Sequence, residues 1–399
     1  MQRSWGLWAA AGYVLAAVTV MLRGPRCRTA ALIVAVTGAL AAPLTWQVTF
    51  GDKMSRFGEG SLTVVTRAAV LLLRHGTPYL PADQISRFLD YNPYEPAMTV
   101  FGLPAAAGLH GATGNPRLWM GITTAAVLAA AFRLARPGSV LRCTTFALAS
   151  PVLALPLTTG LTDPPVLALL GLAFACVAAR PGQRIQLAAA IALGTACAIK
   201  ATAWPALPVI AALLAARHGG RAAARFVVTA GITATALSAA MAWASVIAPA
   251  TLLQNTALFP LGLTRYQTAA DSPLPGHLLA VTGTTGRWVA IVLLCAAGLA
   301  MTASLVVRPP ADTRAAVFRL AVSLALVFTL APASRWGYFV YPAALVGFVH
   351  MTRTERGPWG PVRPAGDQGE SAEPNAEMPL GPLQPELVAS VKQAPSSPF

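Results

Sequence analysis

Charge is scarce in this 399-residue chain: only 11% of its residues are Asp, Glu, Lys or Arg, against about 25% in an ordinary soluble domain. Lysine is almost missing, with Lys53, Lys200 and Lys392 the only three. So little charge beside 55% hydrophobic residues excludes a disordered chain, a coiled coil and a small disulfide-stapled module. It also argues against a water-soluble enzyme. Cysteine is sparse too. Cys27, Cys143, Cys176, Cys197 and Cys295 are scattered, with no CxxC and no Cys/His spacing that would suit a metal, so they read as small apolar fillers. There is no glycine-rich phosphate loop and no internal repeat. No metal and no cofactor is expected.

What is present is a series of apolar runs, several near the roughly 20 residues that cross a bilayer. The chain reads as an all-α polytopic membrane protein. The formal charge of +15 would suggest nucleic acid in a soluble protein. Here the arginines cluster between apolar runs, where basic residues mark cytoplasmic helix ends, so the partner is the lipid bilayer and no nucleic acid is expected. Apolar spans fall at 5–22, 29–50, 117–136, 142–160, 163–180, 184–203, 204–217, 225–248, 287–307, 314–332 and 337–351. The first is read as a retained helix rather than a signal peptide, since Arg23, Arg26 and Arg28 follow it with no small-residue cleavage site. Placing the basic clusters at 23–28, 133–142, 180–184, 217–225, 308–319 and 353–363 inside gives about eleven crossings, with the N-terminus outside. The scheme requires that 97–110, short and broken by Pro104, be re-entrant or interfacial rather than a full crossing. Acids were not used to build it, yet of the eight before residue 352 all but Asp312 fall on the outer side. Residues 1–351 form the membrane domain in this reading. Residues 352–399, rich in Pro, Gly, Ser and Glu, form a disordered cytoplasmic tail.

The acids direct attention to the outer loops, above all the first, 51–116. Within it, Leu62–Gly76 is dominated by apolar residues, with Arg67 and Arg74 seven apart on one helical face. That predicts an amphipathic helix on the outer surface, stopped by Gly76. Tyr79, then Tyr91 and Tyr94 in Tyr91-Asn92-Pro93-Tyr94-Glu95-Pro96, alternate aromatic rings with polar groups. Such a surface suits a sugar, which stacks its CH face on a ring; an interfacial aromatic belt is the plainer reading. Asp163, before Pro164-Pro165, is either an ordinary helix-start residue or an acid turned into a membrane-level cavity. Lys200 ends an apolar run on the outer side and breaks the positive-inside pattern. It either snorkels to headgroups or meets an anion, a lipid phosphate or a carboxylate such as Asp163. Arg335 sits in a very short outer turn. Both cations could hold a phosphate.

The amphipathic LLLRHGTPYL, the YNPYEP lead-in to an apolar stretch and the helix ending AIKATAWP resemble the family 87 glycosyltransferases over roughly residues 40–345. The resemblance implies a GT-C membrane fold with its site under the first outer loop, in a bacterial plasma membrane. It implies a polyprenyl-phosphate sugar donor, commonly of mannose or arabinofuranose, and a glycolipid or polysaccharide acceptor. It also implies a catalytic carboxylate in the first outer loop, to take the acceptor proton. The family's usual Asp position falls near Ser61. Glu59, twenty residues before Tyr79, and Asp52, seven residues further upstream, are the two candidates. Lys200 and Arg335 match by type and rough place and would face the donor phosphate. A transporter or flippase for a lipid-linked glycan, or a non-catalytic envelope-complex partner, would share the helices. The lack of a repeat, and polar groups that gather at one face rather than the midplane, favour the enzyme.

Overall fold

The computed structural model describes residues 2–22, 25–51, 60–135, 139–179, 182–246 and 249–352. Asp52, Glu59 and the tail from 353 onward lie outside the described residues. The longer helices are α1 (Gln2–Met21), α2 (Arg26–Phe50), α3 (Gly60–His75), α4 (Pro116–Ala135), α5 (Val140–Ala149), α6 (Pro151–Thr159) and α7 (Asp163–Ala178). They continue as α8 (Gln183–Ile199), α9 (Ala206–His218), α10 (Gly220–Met241), α11 (Thr284–Val307), α12 (Thr313–Leu330) and α13 (Val340–Met351). No strand occurs among the described residues; one isolated bridge joins Asp271 to Ser334.

Every predicted apolar span is helical over most of its described residues. Among the described residues six helices (α1, α2, α4, α10, α11 and α12) are long and apolar enough to cross a membrane, and the α5–α6 pair makes a seventh if counted as one span. That pair departs from the single helix expected over 142–160. It bends by 63° at Ser150-Pro151, because Pro151 lacks an N–H and forces the residue before it out of the helical region. Ser150 is extended and its hydroxyl caps the new helix at the Val152 amide, 3.2 Å away.

Sequence sorts the helices by depth. In α7, fifteen of sixteen residues are buried; a helix apolar on every side belongs inside other helices, and α7 packs against α4, α8 and α13. Free thiols at Cys176 and Cys197 are fillers of this core. By contrast α11 is equally apolar, yet only Ala290 and Leu305 are buried. A face of Trp288, Val292, Leu299 and Val306 left open suits lipid rather than water. At the N-terminal end α1 and α2 cross closely: a Cβ on Gly38 would lie 2.5 Å from the Gly12 Cα, so only glycine permits this approach.

The stretch 97–110 is not a full-length span. Pro96–Gly102 is a 3-10 helix running into a one-turn α-helix, Leu103–Ala106. At about 2 Å rise per residue it cannot cover the ~30 Å hydrocarbon core. The 3-10 helix is largely buried in protein, with Met98, Thr99 and Phe101 all under 5% exposed, against α3, α4, α8 and α10. Residues Gly60–His75 form the helix α3. It ends before Gly76, whose φ of +69° is the left-handed stop that favours glycine.

Candidate functional site

α7 and α8 are antiparallel neighbours, so the first residue of α7 and the residue after α8 meet at one end of the bundle. These are Asp163 and Lys200. Both are almost fully buried, at 2% and 8% exposure, and the Lys200 ammonium donates to Asp163 Oδ1 in a buried ion pair. Each charge also sits where its helix end favours it, the anion at an N-terminus and the cation at a C-terminus. Asp163 does open its helix, in the first turn rather than at the cap: Thr162 is the capping position and no side-chain cap bond forms. The carboxylate is turned to Lys200 instead.

The pair is the centre of a larger cluster. Lys200 Nζ also donates to Thr162 Oγ1 at 3.3 Å. It lies 5.7 Å from the centre of the Tyr94 ring and 5.5 Å from that of Tyr338, a cation held between two π faces. Tyr341 lies close enough to Asp163 to feel its charge and accepts the Thr202 hydroxyl at 2.8 Å. Tyr338 and Tyr341 stand three apart where the chain enters α13. Their spacing after Arg335 is the signal that sequence reasoning passed over.

Arg335 is exposed beside Tyr338. Its guanidinium donates to the Ala269 carbonyl at 2.9 Å, and neighbouring backbone bonds fasten the turn: Ser334 N to Ala270 O at 3.0 Å and Ser272 N to Ser334 O at 3.1 Å. The turn between α12 and α13 is thus stapled to the loop between α10 and α11. Arg335 is the accessible cation of the cluster, and Lys200 is the enclosed one.

The first-loop tyrosines divide. Tyr94 presents its ring to Lys200. Tyr79 is 1% exposed and its hydroxyl donates to the Tyr94 carbonyl at 2.9 Å; burial first, then the charge of Glu95, holds its phenol well above the ordinary value. Tyr91 is 2% exposed and stacks on Phe259 at 4.3 Å between ring centres. Both are engaged in holding the loop. Asn92 helps them: its amide donates to Asn255 Oδ1 at 2.8 Å and its side chain to the Pro78 carbonyl at 3.3 Å. Nothing in the sequence paired Asn92 with Asn255.

Asp90 is likewise occupied. It accepts from the Ser86 amide and hydroxyl at 3.0 and 2.8 Å, the Arg87 amide at 3.1 Å and Arg67 at 3.3 Å. Burial raises its pKa, but these bonds outweigh burial and leave it below the ordinary value. This clamp ties the loop to α3.

The bundle also holds an apolar cavity of about 240 Å³. It is lined by Phe132 of α4, Leu153 of α6, Leu167 and Gly171 of α7, and Ala344 and Phe348 of α13. Its lining includes Leu167, about one helical turn from Asp163 along α7, and extends to Met351 at the end of α13. No group of three or more His, Cys, Asp or Glu suited to a metal occurs among the described residues.

The family model of glycosyltransferase family 87 matches residues 92–332, more than half of the chain. The match takes in Asn92, Asp163 and Lys200 and stops before Arg335. No curated protein and no solved structure matches the chain.

Proposed function

The chain belongs to glycosyltransferase family 87 and is a membrane glycosyltransferase; from that premise we propose that it moves a sugar, mannose first among the candidates, from a polyprenyl-phosphate donor to a lipid-linked or cell-envelope glycan acceptor. In this reading the chain crosses a bacterial plasma membrane about eleven times and the Lys200 cluster faces outward.

The observation that supports the reading is a buried Lys200–Asp163 cluster in the same bundle as an apolar cavity whose lining includes Leu167, about one turn along α7 from Asp163. A donor of this class has two unlike parts, an anionic head and a hydrocarbon tail. Arg335, exposed and braced by Ala269, meets the phosphate; Lys200 adds positive potential from behind Tyr94 and Tyr338. The cavity takes part of the prenyl chain. Asp163 holds Lys200 in place, and Tyr94 offers the sugar a ring edge. Tyr79 and Tyr91 serve the site by fixing the loop that carries Tyr94.

In the reaction an acceptor hydroxyl oxygen attacks the anomeric carbon. The bond from that carbon to the phosphate oxygen breaks, and polyprenyl phosphate leaves with the electron pair, its added negative charge met by the two cations. The hydroxyl proton passes to a first-loop carboxylate, Glu59 or Asp52.

The test is transfer from labelled polyprenyl-phosphate mannose in membranes with the protein, against membranes from a deletion strain. A protein-dependent labelled product is expected, lost in Glu59→Ala or in Asp52→Ala at normal expression. Transfer at the wild-type rate in both variants would remove the first-loop base. No product from mannosyl, arabinofuranosyl or other sugar donors would remove the transferase assignment of the substrate.

A further inference from the structure

Glu95 has no role in the scheme above, yet its situation is unusual. It follows Tyr94 directly and opens the buried 3-10 helix, where its carbonyl accepts the Met98 amide at 3.1 Å. The residue is half-buried. Its neighbour Asp90 has five protein donors, and Asp163 is paired; among the described residues no hydrogen bond or ion pair reaches the Glu95 carboxylate. A half-buried carboxylate without donors is costly, and folded proteins seldom keep one without a use.

Its neighbours place it beside the loop that carries Tyr94. Its charge bears on the Tyr79 phenol and on the Cys197 thiol. Cys197 lies three residues, less than one turn, before Lys200 on the same stretch of chain. Glu95 directly follows Tyr94, whose ring covers the ammonium, and the 3-10 helix it opens packs against α8. Other charged groups on the surrounding elements are committed elsewhere. Arg67 of α3 is engaged by Asp90, Arg117 of α4 is buried with a partner of its own, and Arg221 and Arg225 sit at the far end of α10.

We propose that Glu95 is a sugar-contacting residue, its carboxylate accepting hydrogen bonds from hydroxyls of the transferred sugar while the Tyr94 ring borders the same ring of the ligand. The proposal rests on the transferase reading. A sugar supplies what the protein withholds: several adjacent O–H donors and no charge. A carboxylate accepts two of them at once, and bonds to a charged acceptor are the stronger kind. Burial pushes the Glu95 pKa up to about 7, so the empty site holds much of it protonated at neutral pH. Hydroxyl donors favour the ionised form, and affinity for the sugar rises as pH climbs through about 7.

The experiment measures binding to the purified full chain of three lipids: polyprenyl-phosphate mannose, polyprenyl-phosphate arabinofuranose and bare polyprenyl phosphate. Glu95→Ala is expected to weaken one sugar-bearing lipid by about tenfold to a hundredfold, the worth of a charged hydrogen bond, and to leave polyprenyl phosphate unchanged. Its melting temperature should equal or exceed the wild type, since an unpaired acid has gone. Glu95→Gln, nearly isosteric, covers the case in which the alanine variant does not fold; it should abolish the pH dependence of sugar-lipid binding. Unchanged sugar-lipid affinity in both variants, or equal loss for all three lipids, overturns the proposal. Wild type that transfers sugar beside a fully binding Glu95→Ala removes Glu95 alone. Wild type that binds no lipid and transfers nothing removes the transferase reading, and this proposal with it.

Discussion

Lys200 reaches Asp163 across the meeting point of two antiparallel helices, and the pair is enclosed on both sides: their side chains are only 10% and 3% exposed. Breaking such a pair from one side leaves a bare charge in a poor solvent, at a cost of about 3–5 kcal/mol. Lys200→Met and Asp163→Asn are each expected to lower thermal stability by that order and to abolish transfer. The double variant should recover most of the stability, because no lone charge remains, but none of the transfer. Melting curves and transfer assays on the three variants check this. A double variant that transfers sugar normally would make the pair a structural device only.

Tyr91 separates packing from sugar contact. Its ring is stacked on Phe259 at 14° between planes. Tyr91→Phe keeps the stack and should change neither the melting temperature nor the donor KM. Tyr91→Ala empties a buried site and should cost about 3 kcal/mol. A severalfold rise in donor KM for Tyr91→Phe would instead put its hydroxyl on the sugar.

Gly76 closes α3 with φ of +69°, and a Cβ there would come within 2.3 Å of the Trp243 ring. The backbone conformation alone costs an alanine about 1 kcal/mol, and the collision adds to it. Gly76→Ala should therefore melt earlier than wild type. Adding Trp243→Ala should remove the collision while the backbone cost stays. If Gly76→Ala melts with the wild type, the loop anchor between α3 and the segment after α10 is weaker than these contacts imply.

Glu95 also makes a prediction about stability. Its pKa rises from the ordinary 4.5 to about 7 in the folded protein. Between those values the folded state holds a proton that the unfolded state has released, so stability falls as pH rises from about 4.5 to about 7 and is level above. Glu95→Gln should flatten that slope in denaturation series run across the interval. An identical slope in wild type and variant would mean that Glu95 titrates at its ordinary value when folded.

Much of this was legible in advance, and the reason is the bilayer. Apolar length and arginine placement are one-dimensional signals, because each helix satisfies its own backbone bonds. The helices therefore lie where hydropathy puts them, and Gly76 stops α3 through a local conformational preference. The Ser150-Pro151 break was equally local but was masked by the apolar run around it. Lys200 could be singled out because it defied the charge pattern, and Asp163 was among the partners named for it.

The sequence by itself determined the helices, their approximate ends, the class of protein and which few charges were out of place. Only the tertiary structure decided what those charges touch. Lys200 sits between Tyr94 and Tyr338, residues far apart in the chain, and Asn92 finds Asn255 across a gap of 163 positions. It also separated two similar-looking acids five residues apart, giving Asp90 a full set of donors and Glu95 none among the described residues. Helix formation is a nearest-neighbour property of the chain, whereas a buried polar group is satisfied by whatever packing brings to it.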